Sequence, residues 1–102
     1  MYCINTLGFH LAVGDVDGLF VYNCGCGCRV IKGPVFEVDG TDLTPDFASF
    51  TLVSQEMLTD KITEYRFNGV YASRQELKLS LVLRVAKGSP VVKFKYILRF
   101  HL

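Results

Sequence analysis

The sequence predicts an all-β fold: an antiparallel β-sandwich of seven or eight short strands with a long hairpin near its C-terminus. Apolar residues recur at every second position through much of the chain, which is the period of a half-buried strand. Glycine, proline and aspartate clusters separate these segments at intervals of roughly 8–12 residues, as in sandwiches and barrels. The chain has 102 residues, 50% hydrophobic and 21% charged. We therefore expect residues 1–102 to form one domain.

The first half of the chain contains short strand candidates. A loop with glycines at both ends, residues 14–18, separates the first two of them. Asp39-Gly40 follows the third, and an Asp-Gly pair favours a tight turn. The candidates are residues 9–13, 19–22, 35–38 and 47–53.

The middle of the chain allows one helical alternative. Residues 54–61 begin with a serine followed by polar residues, but eight residues hold barely two helical turns, so a strand or loop is favoured there. Residues 62–67 alternate as a strand and lead into Asn68-Gly69. This dipeptide predicts a two-residue hairpin turn, with a further strand beginning at Val70.

The strongest pattern is at the C-terminal end. Two alternating segments, residues 75–86 and 91–101, flank the turn residues Lys87-Gly88-Ser89-Pro90 and predict a long antiparallel hairpin. The residues expected to point inward are Leu77, Leu79, Leu81, Leu83, Val85, Phe94, Tyr96 and Leu98.

Four cysteines are clustered at Cys3, Cys24, Cys26 and Cys28. Thiolates bind zinc, copper(I) or iron–sulfur clusters, so these residues are a candidate metal site. Metal sites more often use Cys-x2-Cys pairs, and small buried cysteines packed inward are the favoured interpretation. The first residues do not resemble a signal peptide. We therefore expect a reducing, cytoplasmic location without disulfides, and no cofactor.

The remaining reactive residue types indicate no catalytic constellation. His10 and His101 are out of phase with their apolar neighbours, which places them at outward or terminal positions. Close pairs of acids, such as Asp15 with Asp17 and Asp39 with Asp42, are explained by turn formation. The sequence leaves open whether the chain belongs to an enzyme.

Charge is segregated along the chain although the net charge is only +1. Residues 1–64 hold nine acids and three bases, and residues 65–102 hold one acid and eight bases. The outer face of the predicted hairpin carries five cations. These cations repel one another, so negative charge is expected close to them. Its source is the acidic half of the same chain, which is favoured, an acidic partner surface, or a polyanion. The five are Lys78, Arg84, Lys93, Lys95 and Arg99.

Three pairs of segments carry a family resemblance. They are residues 5–11 with 18–22, residues 33–36 with 43–45, and residues 75–81 with 88–96. Their strand and turn patterns resemble the N-terminal β-sandwich domain of α-galactosidase-type glycoside hydrolases, family 36 and its relatives. The resemblance implies a supersandwich-like accessory domain. The catalytic aspartates of that family lie in a following barrel that 102 residues cannot contain, so no functional residue is carried over.

We therefore expect a non-catalytic β-sandwich domain that serves assembly or scaffolding of a carbohydrate-active enzyme. Its expected partner is a catalytic barrel or a second copy of the chain, with carbohydrate as a further ligand and no membrane. One alternative is a polyanion-binding or nucleic-acid-binding module that uses the basic hairpin face. Nucleic acid is not favoured, because Phe94 and Tyr96 alternate with the lysines and so face the other side. A second alternative is a small metal-binding protein that uses the cysteines.

Overall fold

The computed structural model describes residues 2–6, 9–14, 20–23, 28–31, 33–89 and 92–100. These residues contain ten strands and no helix, so the predicted all-β class is confirmed. The strands are β1 (Tyr2–Thr6), β2 (Phe9–Val13), β3 (Phe20–Asn23), β4 (Cys28–Ile31), β5 (Phe36–Val38), β6 (Thr41–Leu43), β7 (Phe47–Met57), β8 (Ile62–Tyr71), β9 (Leu77–Ala86) and β10 (Val92–Phe100).

Eight of the strands form two four-stranded antiparallel sheets. The N-terminal sheet has the order β1-β2-β3-β4, and the C-terminal sheet has the order β10-β9-β8-β7. In both sheets each strand pairs with the next along the chain, as expected where short loops join antiparallel neighbours. β5 and β6 form a separate two-stranded hairpin between the sheets in sequence.

The core lies between the two sheets, which makes the fold a sandwich. One cluster joins residues of β1 and β2 to residues of β8 and β9. A second cluster packs the β5–β6 hairpin and the start of β7 against the other end of β8 and β9. The buried residues of the first cluster are Ile4, Leu11, Val13, Phe67, Leu81, Leu83 and Val85.

The predicted C-terminal hairpin is confirmed. β9 and β10 pair in one unbroken register from Val85 opposite Val92 to Leu77 opposite Phe100. The five alternating residues of β9 from Leu77 to Val85 are all buried, so the period of two identified the inner side of this strand correctly. Gly88, with a φ of 74°, lies in the turn that follows β9.

The Asp39-Gly40 turn is also confirmed. Asp39 and Gly40 have φ values of 53° and 76°, and Val38 pairs with Thr41 across them. Two successive positive φ values are the feature of a type I′ hairpin turn.

The helical alternative for residues 54–61 is wrong. β7 continues through residue 54 to Met57, and the chain then bends over residues 58–61 before β8 begins. This segment pairs with β8 as far as Met57, which lies opposite Thr63. Tertiary pairing outweighs the weak helix propensity of a segment this short.

The hairpin turn at Asn68-Gly69 is wrong as well. Both residues lie inside β8, which runs without a turn from Ile62 to Tyr71. Asn68 accepts a hydrogen bond from the Ser80 hydroxyl on β9, with an O–O distance of 2.9 Å. Gly69 is buried against the rings of Phe47 and Phe50. The glycine serves a close approach of rings rather than a turn.

The predicted inward side of β10 faces the core but is incompletely buried. Phe94 is 42% exposed, and Tyr96 and Leu98 are only half-buried. β10 is the edge strand of its sheet, so its inward side chains reach the border of the core rather than its centre. Local alternation does not predict that a strand lies at the edge, because the edge depends on the order of the strands in the sheet.

Several sequence-based expectations lie outside the described residues. They concern the loop residues Asp15 and Asp17, the cysteines Cys24 and Cys26, Pro90 of the final turn, and His101. Within the part of the chain that the structure does describe, no helix is long and apolar enough to cross a membrane.

Candidate functional site

The outer face of the C-terminal sheet collects the five predicted cations. Even-numbered residues of β9 and odd-numbered residues of β10 share this face, since the opposite parity is buried or borders the core. We call the five residues Lys78, Arg84, Lys93, Lys95 and Arg99 the basic face. Their placement on one surface is what the alternation predicted.

Register places cations of the basic face directly opposite one another. Lys93 pairs with Arg84 across β9 and β10, and Arg99 pairs with Lys78. The Cβ atoms of opposed residues lie only about 5 Å apart in an antiparallel sheet, so these pairs repel each other. The face is therefore electrostatically strained unless anions lie close to it.

Glu64 supplies one such anion from inside the same sheet. Its side chain is only 5% exposed. One carboxylate oxygen accepts a hydrogen bond from Arg66 Nε at 2.8 Å, and the other accepts one from Arg84 Nε at 2.9 Å. The pKa of Glu64 is lowered by these bonds, that from Arg66 first, since each stabilises the ionised form.

The role of Glu64 did not follow from the sequence. By its position, Glu64 belongs to the acidic half of the chain, but its contact with Arg84 depends on the β8–β9 register, which brings the two residues opposite each other. The alternation of Glu64 and Arg66 on one face of β8 was the signal that could have found half of this cluster. For Arg84, an acid of the same chain therefore supplies the expected neutralising charge.

Among the described residues, no acid neutralises the remainder of the basic face in this way. Four of its members form no ion pair with any described residue. They are Lys78, Lys93, Lys95 and Arg99. Because one carboxylate is shared by two guanidinium groups at Glu64, that cluster also keeps a net positive charge.

Charge changes sign across the sheet. One register row runs from β7 to β10 through Glu56, Glu64, Arg84 and Lys93. Acids therefore occupy the β7 side of this row and bases occupy the β10 side. In this row the positive charge therefore lies on β9 and β10.

A shallow depression lies within this basic region. It has a volume of about 210 Å³ and is lined by Val82, Arg84, Lys93, Phe94 and Lys95. Val82 is only 3% exposed although it points to the outer face. Phe94 makes an edge-to-face contact with Tyr96, with ring centroids 5.8 Å apart. The depression thus places the apolar side chain of Val82 beside three cations, which suits an anionic group attached to apolar atoms.

Two members of the candidate metal site, Cys3 and Cys28, lie on strands whose backbones the structure describes. Cys3 is exposed and unpaired. Its strand β1 and the strand that begins with Cys28, β4, lie at opposite borders of the N-terminal sheet. Three interstrand spacings separate the backbones of these two strands by about 14 Å, and the metal site stays a prediction. Among the described residues no group of three His, Cys, Asp or Glu side chains is placed to hold a metal.

His10 lies at the outward position that the sequence predicted. It is exposed on β2, and its Nδ1 is 2.6 Å from Asn5 Oδ1 on the neighbouring strand. The amide fixes the orientation of the ring, and the contact has the character of a surface hydrogen bond.

Comparison with protein families, with curated proteins and with solved structures found no match for this chain.

Proposed function

We propose that the chain is a non-catalytic β-sandwich module that binds anionic partners through the basic face. The observation that carries this proposal is the pairing of Lys93 with Arg84 and of Arg99 with Lys78 across adjacent strands. Opposed cations on a rigid sheet repel each other, and an anion bound between them removes the repulsion. Glu64 shows this solution inside the same face, where one carboxylate holds two guanidinium groups.

Binding to such a face is strongly dependent on salt. A polyanion that contacts the four cations without an ion pair to any described residue releases about four counterions. For a single-stranded nucleic acid the affinity then falls by about 50-fold between 50 and 200 mM salt. If only two of the four contacts remain, the fall is about 7-fold.

The test uses two probes, a fluorescent oligo-dT of 20 nucleotides and labelled poly-L-glutamate. Their anisotropy is followed with the full chain at 50, 100 and 200 mM salt. The double variant Lys93→Glu/Lys95→Glu is expected to lose at least tenfold in affinity at 50 mM salt and to show a flatter salt dependence.

Lys61→Glu/Lys87→Glu is the matched control. It makes the same change in net charge at two exposed lysines outside the basic face, and its affinity is expected to stay within threefold of the parent chain. Equal losses in the two double variants would show that only net charge matters. Failure of both probes to bind the parent chain would overturn the proposal.

The role in a carbohydrate-active enzyme stays a prediction. The sandwich architecture supports it, because the resembled family places such a domain before its catalytic barrel. A neighbouring reading frame that encodes a barrel with two strand ends bearing aspartate would support this role, and a neighbourhood without one would count against it. A carbohydrate ligand and a cytoplasmic location are part of the same prediction.

Self-association also stays a prediction. The acidic surface of residues 1–64 in one copy can dock on the basic surface of residues 65–102 in another. Light scattering at 150 mM and 1 M salt tests this arrangement. A dimer that dissociates at high salt agrees with charge docking, and a monomer at both concentrations refutes it.

A further inference from the structure

The two borders of the C-terminal sheet differ in regularity. β7, at one border, has two register shifts against β8, between Phe47 and Ser49 and between Leu52 and Ser54. Irregularities of this kind prevent another strand from pairing with an edge. β10, at the other border, pairs with β9 without a break over all nine of its residues.

The open side of β10 therefore offers a regular set of backbone groups. In an antiparallel sheet, alternate residues of an edge strand point their N–H and C=O groups away from the neighbouring strand. No strand among the described residues pairs with this side of β10. The geometry is the one that accepts an added strand.

The two faces of β10 define what an added strand must carry. On the core side, Phe94 and Phe100 are 42% and 59% exposed, and Tyr96 and Leu98 are half-buried. The hydrophobic core thus reaches the border of the sheet, where its side chains are partly exposed. The outer side carries, in order along the strand, Lys93, Lys95, Ile97 and Arg99.

A second copy of β10 does not fit this border. In a two-fold antiparallel pair centred on Tyr96, Lys93 of one copy lies opposite Arg99 of the other. Other antiparallel registers that keep the apolar sides together also place outer-side cations opposite one another or opposite Ile97. Like charges opposed across strands are destabilising.

A nucleic acid fits only half of the border. It satisfies the cations but leaves the apolar side of β10 in water. The aromatic rings that would stack on bases belong to the core-side row, opposite in phase to the lysines. An extended polypeptide whose polar and apolar side chains alternate satisfies both sides of β10.

We propose that the β10 edge binds an extended polypeptide segment of a partner protein in which carboxylate and apolar side chains alternate. The segment adds as a fifth strand of the C-terminal sheet. Its carboxylates face Lys93, Lys95 and Arg99, and its apolar side chains cover Phe94 and Leu98. The inference rests on the proposed function and names the anionic partner as an acidic strand.

The test uses a fluorescent nine-residue peptide of alternating glutamate and valine. A peptide of the same composition, with all glutamates before all valines, is the control. Anisotropy with the full chain is expected to show at least tenfold tighter binding of the alternating peptide, because only that peptide presents both sides in register.

Two N-methylated forms of the alternating peptide test strand addition itself. Each form carries methyl groups on one of the two alternate sets of amides, and only one set faces β10. Methylation of that set is expected to abolish binding, and methylation of the other set is expected to leave it within threefold. Equal effects of the two forms would overturn strand addition.

Two variants of the chain test the outer side and the core side of β10 separately. Lys93→Glu/Lys95→Glu is expected to weaken both the alternating peptide and poly-L-glutamate. Phe100→Ser, at an exposed ring of the core-side row outside the depression, is expected to weaken the alternating peptide at least fivefold and to leave poly-L-glutamate unchanged, with circular dichroism to confirm that each variant is folded.

The outcomes separate this inference from the proposed function. Salt-sensitive binding of poly-L-glutamate with equal affinity for the alternating and block peptides refutes the strand and leaves the anion-binding function standing. Tighter binding of oligo-dT than of the alternating peptide refutes the acidic strand in favour of nucleic acid. Absence of binding by every probe refutes both.

Discussion

Replacement of Gly69 by alanine tests the most unexpected local feature of the fold. A Cβ atom at this position would lie 2.7 Å from Cδ2 of Phe50 and 2.8 Å from Cδ1 of Phe47. Both rings are held by aromatic neighbours: Phe47 contacts Tyr71 at 4.8 Å between centroids, and Phe50 stacks on Phe67 at 5.8 Å. The rings therefore cannot move aside without disturbing the core.

The expected cost combines two opposing effects. Overpacking of a core by one methyl group costs about 1–3 kcal/mol. Alanine in a strand recovers about 0.5–1 kcal/mol relative to glycine, because the unfolded chain loses conformational freedom. We expect Gly69→Ala to lower the free energy of unfolding by about 1–2 kcal/mol, and each kcal/mol lowers Tm by about 4–8 °C in a domain of this size.

Urea unfolding followed by far-ultraviolet circular dichroism measures this cost, and a double-mutant cycle identifies its origin. In the background Phe50→Leu the shorter side chain leaves room for the new methyl group. The cost of Gly69→Ala should therefore fall by at least 0.5 kcal/mol, which is typical of residues in contact. A turn at Asn68-Gly69 would make the cost independent of Phe50, so strict additivity would refute the packing of these rings over Gly69.

Three further predictions concern buried polar groups. Tyr71→Phe and Tyr96→Phe should each raise the free energy of unfolding by about 1 kcal/mol in urea titrations, because both hydroxyls are buried without a hydrogen-bond partner in the described structure. Burial raises the pKa of both phenols to about 12. The folded parent chain should therefore lose stability from about pH 10 towards pH 12, as the unfolded chain releases these protons first, and each Phe variant should lose less. Hydrogen bonds from Arg66 and Arg84 lower the pKa of Glu64 from 4.5, so the stability that its carboxylate contributes should disappear as the pH falls below that value. Glu64→Gln should make the stability less dependent on pH in this acidic range. The same variant should strengthen oligo-dT binding severalfold at 50 mM salt.

The features that the sequence predicted correctly are local ones. The β9–β10 hairpin follows from alternation within each strand and from a turn between them, and both signals lie within a few residues. The same holds for Asp39-Gly40, whose positive φ values are a property of the turn itself. The basic face was predictable for this reason too, since parity within two adjacent strands defines it.

The features that the sequence missed depend on distant contacts. Asn68-Gly69 carries a strong local turn signal, but Ser80 and the rings of Phe47 and Phe50 come from other strands and hold the segment extended. Exposure of Phe94 depends on which strand lies at the border of the sheet. Burial of Glu64 depends on a register that places it opposite Arg84, twenty residues away.

The two borders of the C-terminal sheet are protected in different ways, and the difference has a consequence for function. Register shifts in β7 disturb the backbone itself, so they act against every incoming strand. The cations on β10 leave the backbone regular and act only through charge, so they repel a strand of the same charge and attract one of the opposite charge. In the proposed interaction, the same side chains that oppose pairing of β10 with its own copies therefore favour an acidic strand as its partner.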